Sequence, residues 1–339
     1  VGREHQEAAG QGMTLNPAAP ERESRPATHW VRLFLSDYLV LVLVVLLFLG
    51  LVPFTPGLAT TANLANILTS LLPLFVVAVG LTLVMITGGI DLSVTSIIAV
   101  TSVVGTRLMT TGGMETGTGI AAMLLLGTAI GAFNGAMIAF LRLPAFIITL
   151  ASMMFLSGYA VWLTQSKNIF GLPATFLALG NRMPLALGAT ALVAVGAHLL
   201  LRRTVYGRWI FAVGQNSTAA HISGVPVRAT TLAVYAASGF CAALASIILT
   251  GRLETGSPVL GREILLDVIG ATVVGGTSLF GGKGRIEWTF FGVLFFAVLD
   301  NALNLLNLSQ FSITIAKGSV ILLAAVLDAL KTRFAQAAR

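Results

Sequence analysis

Cysteine is nearly absent: Cys241 is the only one in 339 residues. A single thiol forms no internal disulfide and no cysteine-based metal cage. Charge is scarce too, at 10% of residues against roughly 25% in an ordinary soluble domain. That scarcity excludes a soluble enzyme. Histidine occurs four times, and His221 has no second ligand at a metal-binding spacing. A phosphate loop is also missing. Gly276 and Gly281 have the required four-residue gap, but Gly282, Lys283 and Gly284 follow where Lys and then Ser or Thr should stand. No ATP hydrolysis and no cofactor are therefore expected of the chain itself. The apolar stretches lack paired catalytic groups, which argues against an intramembrane enzyme.

Apolar residues are what the chain has in excess: 56% are hydrophobic, and the mean hydropathy is +0.92. A lipid-spanning helix needs about 20 of them in succession, because its backbone must satisfy itself. Ten such stretches are present: 33–52, 67–86, 92–109, 119–141, 145–164, 184–201, 230–250, 264–279, 288–308 and 311–330. The third and eighth are short and adjoin glycine-rich breaks. The expected fold is thus an all-α integral membrane protein of about ten transmembrane helices, in one permease-like domain over 31–331. The polar residues 1–30 read as a disordered cytoplasmic tail, too long and too mixed in charge for a signal peptide, and 332–339 as a second tail.

The formal net charge of +7 does not point to nucleic acid, since the basic residues sit singly in polar gaps and form no basic face. They are orientation signals. With the N-terminus inside and the spans alternating, 14 Lys and Arg fall inside, five fall outside, and Lys317 lies within the last span. The positive-inside bias then places both termini in the cytoplasm. Leu141–Thr149 and Leu306–Thr314 match at five of nine positions and fall on opposite sides. An inverted repeat of five helices gives that pattern, with a substrate route at the repeat interface; chance similarity among apolar residues is the alternative.

Four segments carry more than hydrophobicity. Gly127, Gly131 and Gly135 form a smooth stripe that admits another helix backbone, and Asn134 beside it either faces a pore or bonds to a neighbour. In Thr87-Gly-Gly-Ile-Asp-Leu-Ser93, Asp91 or Ser93 caps a helix start, or the broken backbone lines a water-filled cavity. The polar interruption 202–228 holds a short helix through Ala219, Ala220 and Ile222, capped by Asn216 or Ser217 and ended by Gly224, a docking element at the membrane surface. Finally, Asp300 and Lys317 come to one depth, roughly 9 to 12 Å below the outer surface. Isolated charges there are costly, so an ion pair between them is expected, with Asn301 and Asn304 adding hydrogen bonds. Candidate route residues are Asp91, Asn134, Phe146, Thr149, Asn301 and Asn304.

From about Leu33 to Leu330 the chain resembles the permease subunits of bacterial ATP-binding-cassette importers for monosaccharides, the ribose-type group. The likeness is carried by Thr87–Ser93, by Ala212–Val227, by Val274–Gly284 and by Asp300-Asn-Ala-Leu-Asn-Leu-Leu306. Thr95 and Leu265 depart from it, standing where a glycine and a glutamate are usual. The resemblance implies a multi-pass protein of the bacterial cytoplasmic (inner) membrane that translocates a pentose or similar sugar. It also implies a cytoplasmic ATPase, a soluble sugar-binding protein outside and a second permease subunit, identical or closely related. Gly214, Asn216, Ala219, Ala220, Ser223, Gly224 and Val225 would then form the helix that couples to the ATPase. An ion-coupled secondary transporter is the alternative, with Asp300 and Lys317 as its only serious coupling-ion candidates.

Overall fold

The computed structural model describes residues 27–337, with side chains described over 39–323 and at position 326. The expected tail 1–30 lies almost wholly outside the described residues. Residues 1–39 form one unit, of which the start of α1 is described, and residues 40–339 form a second, packed unit. Thirteen helices occur among the described residues: α1 (Ala27–Leu51), α2 (Thr61–Ile86), α3 (Val94–Thr110), α4 (Thr116–Leu141), α5 (Ala145–Thr164), α6 (Ala174–Asn181), α7 (Met183–Arg203), α8 (Val205–Gln215), α9 (Ser217–Ile222), α10 (Val227–Leu253), α11 (Ile264–Val274), α12 (Ile286–Leu305) and α13 (Gln310–Ala337). Each of the ten apolar stretches overlaps a helix in whole or in part. Among the described residues six helices are long and apolar enough to cross a membrane: α2, α4, α5, α7, α10 and α12.

Two differences from the sequence reading have local causes. The stretch expected over 264–279 ends as a helix at Val274, and at 1.5 Å per residue α11 is roughly 16 Å long, about half a hydrocarbon core. Glycine is what stops it: Gly276 has φ +83°, and a Cβ on Gly275 would lie 2.7 Å from the Trp288 carbonyl oxygen. The 202–228 connection, in turn, is mostly helix. Thr204 accepts the Gly207 N–H to start α8, which buries Gly207, Ile210 and Val213 along one side.

α2 is the centre of the packed unit, with nearly every residue from Leu71 to Ile86 buried. A helix apolar on all sides belongs in such a core. It runs antiparallel to α12, since Asn63 near its start pairs with Asn301 and Thr82 near its end bonds Thr289 at 2.9 Å. α10 packs beside α2 and also against α4, where the glycine stripe meets it. A Cβ on Gly127 would sit 2.6 Å from the Gly239 carbonyl oxygen, and one on Gly131 would sit 2.2 Å from that of Tyr235. Backbone rests on backbone there, the close approach that small residues permit inside a bilayer.

Candidate functional site

Three polar constructions interrupt the apolar interior. The first is the break between α2 and α3. Asp91 is fully buried and accepts the Ser93 N–H at 3.0 Å, the Ser93 hydroxyl, and the Ser238 hydroxyl of α10 at 2.8 Å. Asn134 of α4, also fully buried, donates to Ser93 Oγ at 2.9 Å and accepts from Ser152 of α5. Thr149 of α5 and Tyr235 of α10 both donate to the Ile90 carbonyl, at 3.2 and 3.4 Å. Irregular backbone survives at membrane depth when protein encloses it, and here three helices clasp it. Asp91, Asn134 and Thr149 therefore meet in one network whose partners are all internal. Phe146 is not in it; that ring is exposed on α5.

The second construction lies at the far end of α12. Lys317 Nζ of α13 sits 2.6 Å from Asp300 Oδ1 and 2.9 Å from Asp267 Oδ2 of α11. Asn304 donates to both the Asp300 carboxylate and its carbonyl oxygen. Asn301 takes no part in this cluster. It forms a reciprocal amide pair with Asn63, at 2.8 and 3.0 Å, and so ties α12 to the start of α2. The sequence reading missed Asp267, although its position in the first turn of a short apolar stretch, level with the start of α13, was the available signal. Its side chain is 15% exposed, less than the 42% of Asp300. Its other oxygen, Oδ1, is buried without a partner.

The third construction joins three connections at the opposite end. The Gly282 N–H donates to the Ile86 carbonyl at 2.8 Å. A Cβ on Gly214 would lie 1.8 Å from that same oxygen, and one on Gly281 would lie 2.9 Å from the Gly88 nitrogen. The end of α2, the end of α8 and the α11–α12 turn are thus laced together through glycine. From this lacing α9 projects, with Asn216 at its N-cap accepting the Ala219 N–H at 2.9 Å and Gly224 beyond its end at φ +83°. Asn216, Ala219, Ser223 and Gly224 are exposed, whereas Ala220 is buried and Gly214 and Val225 are half-buried. The outward apolar residue of α9 is Ile222, 82% exposed.

These features define a multi-pass helical membrane protein. Its interior is closed by polar clasps, and one end presents a short, capped helix. Residues 63–327 match the family described as branched-chain amino acid transport system / permease component, and the chain belongs to it. It is 39% identical over 286 residues to the ribose import permease protein RbsC of Escherichia coli strain K12, covering 81% of this chain and 88% of that one. RbsC of Bacillus subtilis strain 168 is 36% identical over 309 residues, 88% of this chain and 92% of its own. The L-arabinose transport system permease protein AraH of Escherichia coli strain K12 is 35% identical over 302 residues, with the same coverage. No solved structure matches the chain. Within its family it is a permease of the ribose-type ATP-binding-cassette importers.

Proposed function

We propose that this chain forms the conduit through which an ATP-driven importer moves a monosaccharide into the cytoplasm, with the hydrolysis done by a separate ATPase and no chemistry of its own. The observation that carries the reading is identity above 35% to ribose import permeases over most of both chains. In this reading the ten apolar helices all cross the bacterial inner membrane within a single domain over 31–331, and both termini lie in the cytoplasm. Its two halves are related as an inverted repeat. A second permease subunit completes the conduit, and a soluble sugar-binding protein delivers substrate from outside.

α9 is the coupling helix, and the exposed set Asn216, Ala219, Ile222, Ser223 and Gly224 meets a groove of the ATPase. Gly214 and Ala220 support it from behind. At the other end, Asp300, Asn304 and Lys317 border the sugar route, where hydroxyls need both donors and acceptors. Asp91, Asn134 and Thr149 hold the α2–α3 break against that route.

Reconstitution with the partner ATPase and binding protein, followed by uptake of labelled ribose and arabinose, tests this. Uptake should require ATP and survive collapse of ion gradients. Ile222→Asp should abolish uptake without altering the amount of inserted protein, because a desolvated carboxylate replaces an apolar contact. Uptake driven by an ion gradient without ATP would make the chain a secondary transporter, and full uptake by Ile222→Asp would return α9 to an ordinary connection.

A further inference from the structure

A cleft of about 500 Å³ opens between the end of α7, α8 and the start of α12, and its charge is unbalanced. His198 and Arg202 of α7 enter it from one side, and Lys283, Arg285 and Glu287 from the other. Glu287 is the only carboxylate in its lining, and that group is already engaged, 2.9 Å from Arg202 and 3.2 Å from His198. Among the described residues no carboxylate lies within ion-pair distance of Lys283 or Arg285. The Arg285 guanidinium lies 4.2 Å over the Trp288 ring. A guanidinium held by its face keeps its N–H edges for an anion. Arg285 is also the N-cap of α12 and makes no side-chain capping bond, so the first-turn N–H groups add positive potential to the same cleft.

We propose that this cleft binds the phosphate diester of an anionic phospholipid. Leu192, Val195 and Leu199 stand exposed on α7 at spacings of three and four, and Arg202 follows three residues later on the same face. Acyl chains lying along that apolar strip bring their head group to Arg202 and into the cleft. A free phosphate shares the head-group chemistry but gains nothing from the strip, which is why a lipid is the occupant. The cleft sits at the end of the bundle that also carries Arg203 and Arg208, beside the α8–α9 segment, and polybasic sites at such ends attract anionic lipid. Trp288 supplies an amphipathic ring of the kind that settles at head-group level.

The purified full-length chain, released from detergent micelles in a native mass spectrometer after incubation with one lipid at a time, provides the test. Phosphatidylglycerol should be retained over phosphatidylcholine by roughly thirtyfold, as two uncompensated cations imply. Lys283→Gln/Arg285→Gln should reduce that preference to parity, while Arg262→Gln, in a separate cavity lined by Thr95, Met153 and Leu265, should leave it intact. Lys283→Gln alone should lower it in part, and among the described residues this side chain makes no ion pair. Equal retention of the two lipids, or an unchanged preference in the double variant, would overturn the proposal. So would glycerol 3-phosphate displacing phosphatidylglycerol at matched concentration, since that would assign the cleft to a free phosphate.

Discussion

Lys317→Met takes the one ammonium away from between two carboxylates, and the structure says which of the two will matter. Asp300 is the nearer, at 2.6 Å, but its side chain is 42% exposed; Asp267 is 2.9 Å away and 15% exposed. Breaking a buried pair by deleting one partner costs about 3–5 kcal/mol, because the survivor is left as an uncompensated charge. An exposed pair is worth about 0–1 kcal/mol. Burial therefore outranks the shorter distance, and the Asp267 arm should hold most of the energy. In an unfolding titration with SDS from mixed micelles, Lys317→Met should lose about 3–5 kcal/mol and Asp300→Asn about 0–1 kcal/mol. Lys317→Met/Asp267→Asn should recover more than half of the Lys317→Met loss, since it removes the stranded charge as well. A double-mutant cycle gives the coupling directly. The reasoning fails if Asp300→Asn is as damaging as Lys317→Met, or if the Lys317/Asp267 double variant loses the sum of its singles.

Three further outcomes follow from the local surroundings of single residues elsewhere. Gly214→Ala should cost about 1–3 kcal/mol and lower the melting temperature, because its Cβ would lie 1.8 Å from the Ile86 oxygen and 2.6 Å from the Gly282 nitrogen, backbone atoms that cannot swing aside. Gly188→Ala, in the interior of α7 with nothing within 4 Å, should instead be neutral or stabilising by up to about 1 kcal/mol. Asp91→Ala leaves one N–H and two hydroxyls without their acceptor, each worth about 1–3 kcal/mol when buried. Folded yield, read by fluorescence-detected size exclusion, should collapse for Asp91→Ala and fall less for Asp91→Asn, which retains an oxygen.

The helices were legible because lipid demands long apolar runs and the chain supplies them. The Asn216 cap and the Gly127–Gly131–Gly135 stripe were legible for equally local reasons. What escaped was whatever depends on a partner far along the chain. Asp267 showed as an acid in the first turn of a short apolar stretch, but nothing local named its partner, a lysine 50 residues on. Asn301 looked like a neighbour of Asp300, yet its amide is satisfied 238 residues away by Asn63. α8 was hidden in a connection read by its charges, although Gly207, Ile210 and Val213 recur every three residues. Ala220 and Gly214 fitted a partner-facing pattern by type, and only the packing behind α9 turns them inward.

The seam between α4 and α10 also has a consequence for the order of synthesis. Gly127 and Gly239 are 112 positions apart, and α5 to α9 are made between them. At roughly 10 residues per second, α4 waits on the order of ten seconds with its bare backbone stripe turned to lipid before α10 arrives to cover it. During that interval α2 lacks one of its walls, and the carboxylate of Asp91 lacks Ser238. A ribosome stalled before Val227 would thus leave a half-built bundle whose Asp91 carboxylate keeps its two Ser93 donors but has one oxygen without Ser238, a target that membrane quality control can recognise by its chemistry.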